Sequence, residues 1–126
     1  MRVLIVDDYA DAADVTCMLM EMLGHDCQCV STGTAALDVA ALFDPDLVLC
    51  DIGLPDVSGY EVARALRGRA RGRPLYLAAV TGWGDPEDRK KALEAGFDQH
   101  LTKPTDLAHL QAVLRAAAAT EALVTE

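Results

Sequence analysis

A chain of 126 residues that is 52% hydrophobic has enough apolar material for one domain with a real core. Twenty acidic residues against eleven basic ones leave a formal net charge of −9, which repels a phosphate backbone and argues against direct nucleic-acid binding. No apolar run approaches the roughly 20 residues that span a bilayer, and the apolar start Arg2 to Val6 turns acidic at Asp7 too early for a signal peptide. A cytoplasmic protein with no membrane partner is therefore expected. Cys17, Cys27, Cys29 and Cys50 contain no C-x-x-C pair and have only His25 nearby, so they read as reduced, mostly buried thiols rather than a zinc site.

Taken in order, Arg2 to Val6 is a continuous apolar strand ending in Asp7-Asp8. Val15, Met18, Leu19, Met22 and Leu23 recur at the spacing of one helical face, closed by Gly24. Asp26 to Val30 is a second strand, and Thr34 to Phe43 an alanine-rich helix stopped by Pro45. Leu47 to Cys50 is an apolar run that ends in Asp51 and passes into the Gly53/Pro55 loop, which reads as a strand buried on both faces. Gly59, Val62, Ala63 and Leu66 mark the next helix, which frays into an arginine-rich stretch, Arg64 to Arg73, read as a solvated helix end. Leu75 to Val80, ending at Thr81, is the fourth strand. Asp85-Pro86-Glu87-Asp88 starts a helix that ends at Gly96 and, with only Ala92 and Leu93 as its main apolar residues, should largely face solvent. A brief strand, Gln99 to Thr102, leads to Lys103-Pro104. Leu107, Leu110 and Leu114 mark a last helix ending near Ala118, with 119–126 as a frayed tail or the start of a linker.

Strands alternating with helices predict an α/β domain, a parallel sheet covered on both sides. All strand ends then face one rim, where open α/β sheets bind ligands. Asp7, Asp8, Asp51, Thr81 and Lys103 converge there. Alone, each has a commoner fate: a turn or helix cap, a strand-end hydroxyl, a surface charge. Together they suggest chemistry. Clustered carboxylates require raised pKa values or a divalent cation, and oxygen-only ligands point to Mg²⁺. With a lysine as a point charge and a hydroxyl as donor, these are the parts for in-line phosphoryl transfer onto Asp51.

These motifs, Asp7-Asp8, Asp51-Ile52-Gly53-Leu54-Pro55 followed by Gly59-Tyr60-Glu61-Val62, Thr81-Gly82 and Lys103-Pro104, resemble the receiver domain of a bacterial two-component response regulator, over residues 1–118. Thr81-Gly82-Trp83-Gly84 and Glu94-Ala95-Gly96-Phe97-Asp98 resemble receivers associated with hybrid histidine kinases. The resemblance implies a flavodoxin-like, doubly wound five-stranded sheet of order 2-1-3-4-5. It implies that Asp51 accepts a phosphoryl group from a phosphohistidine on a kinase or phosphotransfer protein. It also implies that Asp8, Asp51 and the Gly53 carbonyl ligate Mg²⁺ while Asp7 acts through water, that Thr81 and Lys103 bind phosphoryl oxygens, and that the Lys103-Pro104 bond is cis. Such a domain is a signalling module with at most self-catalysed transfer and autodephosphorylation, either stand-alone or part of a longer chain, and its downstream partner is not named by its motifs.

Some positions depart from the pattern. His100 stands where relatives often carry the aromatic residue of the switch, and it is either a pH-sensitive element or a half-exposed strand residue. Gly53 and Trp83 occupy positions that tune acyl-phosphate hydrolysis in such domains. Two alternatives differ in class. A Mg²⁺-dependent aspartyl phosphatase would want an acid two residues beyond Asp51, where Gly53 stands. A pseudo-receiver would bind partners without phosphorylation, and it would not need the Asp8, Asp51 and Lys103 set.

Overall fold

A computed structural model describes residues 1–69, 74–82, 86–103 and 105–125, with side chains described through Thr120. Strands β1 (Arg2–Val6), β2 (Asp26–Val30), β3 (Leu47–Asp51), β4 (Tyr76–Thr81) and β5 (Gln99–Thr102) alternate with helices α1 (Ala10–Met22), α2 (Gly33–Phe43), α3 (Gly59–Arg69), α4 (Pro86–Ala95) and α5 (Leu107–Thr125). The strands are parallel, in the order β2-β1-β3-β4-β5, as the resemblance implied.

The central strand, β3, is buried at every position, which is why it reads as an unbroken apolar run rather than an alternating one. Alternate residues of the sheet feed two cores. Val3, Ile5, Leu47, Leu49, Ala78 and Val80 pack with Ala13 and Met20 of α1 and Leu110, Val113 and Ala117 of α5. Leu4, Val6, Val48, Cys50, Leu77 and Ala79 pack with Ala36 of α2, Val62 and Leu66 of α3, and Ala92 of α4. The period of two along each strand thus sorts the helices into a pair on one face and a trio on the other.

Turn chemistry sets the element ends. Gly24 (φ 93°) and Gly96 (φ 111°) take the left-handed conformation just after α1 and α4. After α2 the same role falls to Asp44 (φ 54°), whose N–H donates to the Ala40 carbonyl, because the residue before Pro45 is disfavoured from continuing a helix. Thr32 caps the start of α2 by accepting from Ala35 N, and Ser58 caps α3 by accepting from Glu61 N.

Three expectations are corrected. The buried face of α1 is Ala13, Cys17 and Met20, whereas Val15, Met18 and Met22 are exposed. Both stripes are apolar at helical spacing, and the small Ala13 and Cys17 let the helix approach the sheet. The last helix continues past Ala118 to Thr125. The arginine stretch is not merely solvated. Arg67 donates to the carbonyls of Leu75 (2.7 Å) and Gly96 (2.7 and 3.2 Å) and pairs with Asp98 (2.7 Å), clamping α3 to the segments before β4 and β5. Arg69 donates to the Leu37 carbonyl, while Arg71 and Arg73 lie outside the described residues. Leu93 is exposed and Ala92 buried on α4, and Cys29 is the exposed member of four free thiols. No helix among the described residues is long and apolar enough to cross a membrane.

Candidate functional site

The carboxyl ends of β1, β3, β4 and β5 meet at one rim of the sheet. Asp7 follows β1, its N–H donating to the Val30 carbonyl and its Oδ1 accepting from Tyr9 N at 3.0 Å, a turn that swings the chain into α1. Asp8 beside it is exposed. Asp51 ends β3 and is 8% exposed; register pairs it with Val80, one residue before Thr81. Its Oδ1 accepts from Gly53 N at 3.1 Å, and its Oδ2 from Lys103 Nζ at 2.8 Å. Lys103 reaches the site because its own N–H donates to the Thr81 carbonyl at 2.7 Å, extending the β4/β5 pairing by one step. Lys103 Nζ also lies 3.7 Å from Asp7 Oδ2.

Oxygens of Asp7, Asp8 and Asp51 can all stand within 4.8 Å of one another, the one such group of potential ligands among the described residues. Burial raises the Asp7 pKa, and the charges of Asp51 and Asp8 add to the rise, against the Tyr9 N–H bond and the Lys103 charge. At Lys103 burial disfavours the ammonium, but the hydrogen bond to Asp51 and the charges of Asp51, Asp7 and Asp8 prevail, so its pKa is raised and it stays protonated. Three carboxylates whose oxygens lie within 4.8 Å of one another offer the hard oxygen ligands that Mg²⁺ takes. The donor set contains no sulfur or imidazole, which a softer metal would prefer.

Thr81 is 7% exposed and its Oγ1 lies 3.1 Å from His100 Nε2. His100 is the half-exposed strand residue expected, and its ring is also bonded to the neighbouring strand. Thr105 lines the same small cavity as Asp7 and Asp51, a neighbour that sequence reasoning passed over; its only signal was its place two residues after Lys103. Asp56 was missed too. It accepts from Gly33 N, Thr34 N and Thr34 Oγ1, tying the loop after Asp51 to the start of α2. Pro104, where a cis bond was expected, and Trp83 lie outside the described residues.

The fold and this rim define a doubly wound α/β domain with an acidic, lysine-bearing pocket at the switch of strand order. Residues 3–115 match the response regulator receiver domain family, and the chain belongs to that family. It is 38% identical over 115 residues to the transcriptional regulatory protein KdpE of Mycobacterium tuberculosis, covering 91% of this chain and 50% of that protein. It is 33% identical over 115 residues to the DNA-binding dual master transcriptional regulator RpaA of Synechocystis, covering 91% and 48%. The chain thus spans about half the length of these curated relatives. Among solved structures, a CheY-like receiver domain protein from Methanospirillum hungatei superposes with a TM-score of 0.87 at 28% identity, over 95% of each chain. The protein is therefore a receiver domain of two-component signalling with the flavodoxin-like fold.

Proposed function

We propose that Asp51 is the phosphoacceptor and that the domain takes its phosphoryl group from a phosphohistidine of a histidine kinase or phosphotransfer protein. The observation that carries this reading is the Lys103 ammonium 2.8 Å from a buried strand-end carboxylate inside an acidic trio. A carboxylate oxygen of Asp51 attacks phosphorus, the P–N bond breaks, and its electron pair stays on the imidazole nitrogen, which is then protonated. The product is an acyl phosphate on Asp51. Lys103 holds Asp51 Oδ2 and stands within reach of a phosphoryl oxygen placed beside it, while Thr81 supplies a hydroxyl donor.

Asp8, Asp51 and the Gly53 carbonyl would hold Mg²⁺ directly, with Asp7 acting through water. When bound, the ion neutralises and orients the phosphoryl oxygens. Phosphorylation adds charge at a site linked to β5 through Thr81 and His100, and the readout is a changed protein-binding surface around α4, β5 and α5. Transfer and later hydrolysis are self-catalysed steps of a signalling module in the cytoplasm. The aspartyl phosphatase reading lacks its second acid, since Gly53 stands two residues beyond Asp51.

Intact mass after incubation with acetyl phosphate tests the proposal. A single Mg²⁺-dependent phosphoryl adduct, absent in Asp51→Asn, is expected. No adduct, together with no response of Trp83 fluorescence to beryllofluoride and Mg²⁺, would leave a pseudo-receiver that binds without phosphorylation.

A further inference from the structure

Asp51 is held by two donors that are anchored in different ways. Lys103 grips Oδ2 from just beyond β5, where its own N–H on the Thr81 carbonyl ties it to the sheet. Gly53 N grips Oδ1 at 3.1 Å from the loop between β3 and α3, which no strand supports. That loop is closed at its root, where the Ile52 carbonyl accepts from Leu54 N at 3.1 Å and from Gly59 N at 2.9 Å. Its far side rests on α2. Asp56 Oδ1 accepts from Gly33 N at 2.8 Å, and its Oδ2 accepts from Thr34 N at 2.9 Å and Thr34 Oγ1 at 2.6 Å. Next to it, Val57 lies so close to Gly33 that a β-carbon there would overlap the valine side chain and come within 3.0 Å of Val62.

A carboxylate on the first N–H groups of a helix is a firm latch, because those groups have no partner within the helix and the helix dipole favours negative charge. The helix already has a cap of its own, since Thr32 Oγ1 accepts from Ala35 N at 3.1 Å. Asp56 therefore does more for the loop than for α2. Between Gly53 and Asp56 stands Pro55, whose ring fixes one backbone angle, so a shift at Asp56 is passed along the segment rather than absorbed.

We propose that Asp56 is a positioning residue for Asp51: by latching the loop to the start of α2, it holds the Gly53 N–H on Asp51 Oδ1 and fixes the Gly53 carbonyl at the rim. The bearing on phosphoryl transfer and on Mg²⁺ rests on the phosphoacceptor reading above; the hold on the Gly53 N–H does not.

The test compares two variants of the full chain. Asp56→Ala breaks the latch, and Thr32→Ala removes a hydrogen bond of the same helix start that does not reach the loop. Without metal or phosphodonor, exchange of the Gly53 amide proton with water, followed by NMR, should quicken about fivefold in Asp56→Ala, the worth of about one neutral hydrogen bond. In Thr32→Ala it should keep the wild-type rate. The Mg²⁺ dissociation constant from calorimetry should rise about tenfold in Asp56→Ala alone, the lower end of the cost of loosening what supports a metal ligand. Adduct formation with acetyl phosphate at limiting Mg²⁺ should slow in step. Thr34→Val, which keeps both backbone bonds to Asp56, should shift each readout the same way by less. An unchanged Gly53 amide in Asp56→Ala, or equal changes in the two alanine variants, overturns the proposal, because the effect would then be absent or only one of helix stability. No adduct in the wild type removes the phosphoacceptor reading instead, while the Gly53 amide still decides the latch.

Discussion

A β-carbon on Gly59 would stand 2.5 Å from the carbonyl oxygen of Asp51 and 2.8 Å from the α-carbon of Ile52. The first residue of α3 is packed directly on the backbone that presents Asp51, and Gly59 N donates to the Ile52 carbonyl at 2.9 Å. Both obstacles are backbone atoms, so no side-chain rotation relieves them. Gly59→Ala is expected to cost about 2 kcal/mol, as overpacking does, and to slow adduct formation by shifting Asp51. Gly68→Ala, in the same helix with nothing within 4 Å of its β-carbon, should instead be neutral or stabilise by up to about 1 kcal/mol. Urea unfolding of the two variants separates the cases; equal effects would refute the close-approach argument.

Lys103 places one cation among three carboxylates. Lys103→Met keeps the stem and removes the charge, so the rate of Asp51 phosphorylation by acetyl phosphate should fall by about 100-fold, the scale for removing one preorganised charge-stabilising donor. The variant should also unfold earlier than the wild type in chelator, and Mg²⁺ should recover more stability in the variant, because the ion replaces part of the missing charge. Thermal melts with and without Mg²⁺ check this.

Arg67 bonds two backbone carbonyls and a carboxylate with one planar fork, spanning Leu75, Gly96 and Asp98. Asp98 Oδ2 in turn accepts from Leu77 N at 2.8 Å, so the network fixes the entry to β4. Arg67→Ala is expected to cost about 2 kcal/mol, and Arg67→Lys to recover less than half, since an ammonium cannot span the three acceptors. Equal stability of the lysine variant and the wild type in urea would count against the fork.

Asp56 is exposed, yet its carboxylate is held well below the usual range, first by the Thr34 hydroxyl and then by the N–H groups of Thr34, Gly33 and Val57. Its pKa in the folded chain is below that of the unfolded chain. Its contribution to stability is therefore complete above the ordinary aspartate value of 3.8, and it is lost as pH falls through the folded value. Asp56→Asn should lower the thermal midpoint by a few degrees at pH 7 and by less at pH 3. A difference that grows toward acid would contradict the assignment.

Local signals were readable wherever the physics is local. The β3 run, the glycines after α1 and α4, and Pro45 after α2 all act within a few residues, and each element is found where its pattern lies. The buried stripe of α1 was not readable, because Val15, Met18 and Met22 are as apolar and as well spaced as the stripe that packs. The continuation of α5 beyond Ala118 was missed because an alanine run carries little periodic contrast. At the rim, residues at strand ends were predicted to converge, and the structure brings Asp7, Asp8, Asp51 and Lys103 together.

Hydrophobic runs, turn residues and strand-end carboxylates are properties of short stretches, and they were enough to indicate a parallel α/β sheet with an acidic rim. The contacts that tune the rim join residues far apart in the chain: Gly59 against the Asp51 backbone, His100 on Thr81, Arg67 on Gly96. No short-range pattern encodes them. They arise only when two strands pair in one register and a helix settles on one face, because side-chain packing and buried hydrogen bonds depend on which distant surfaces meet.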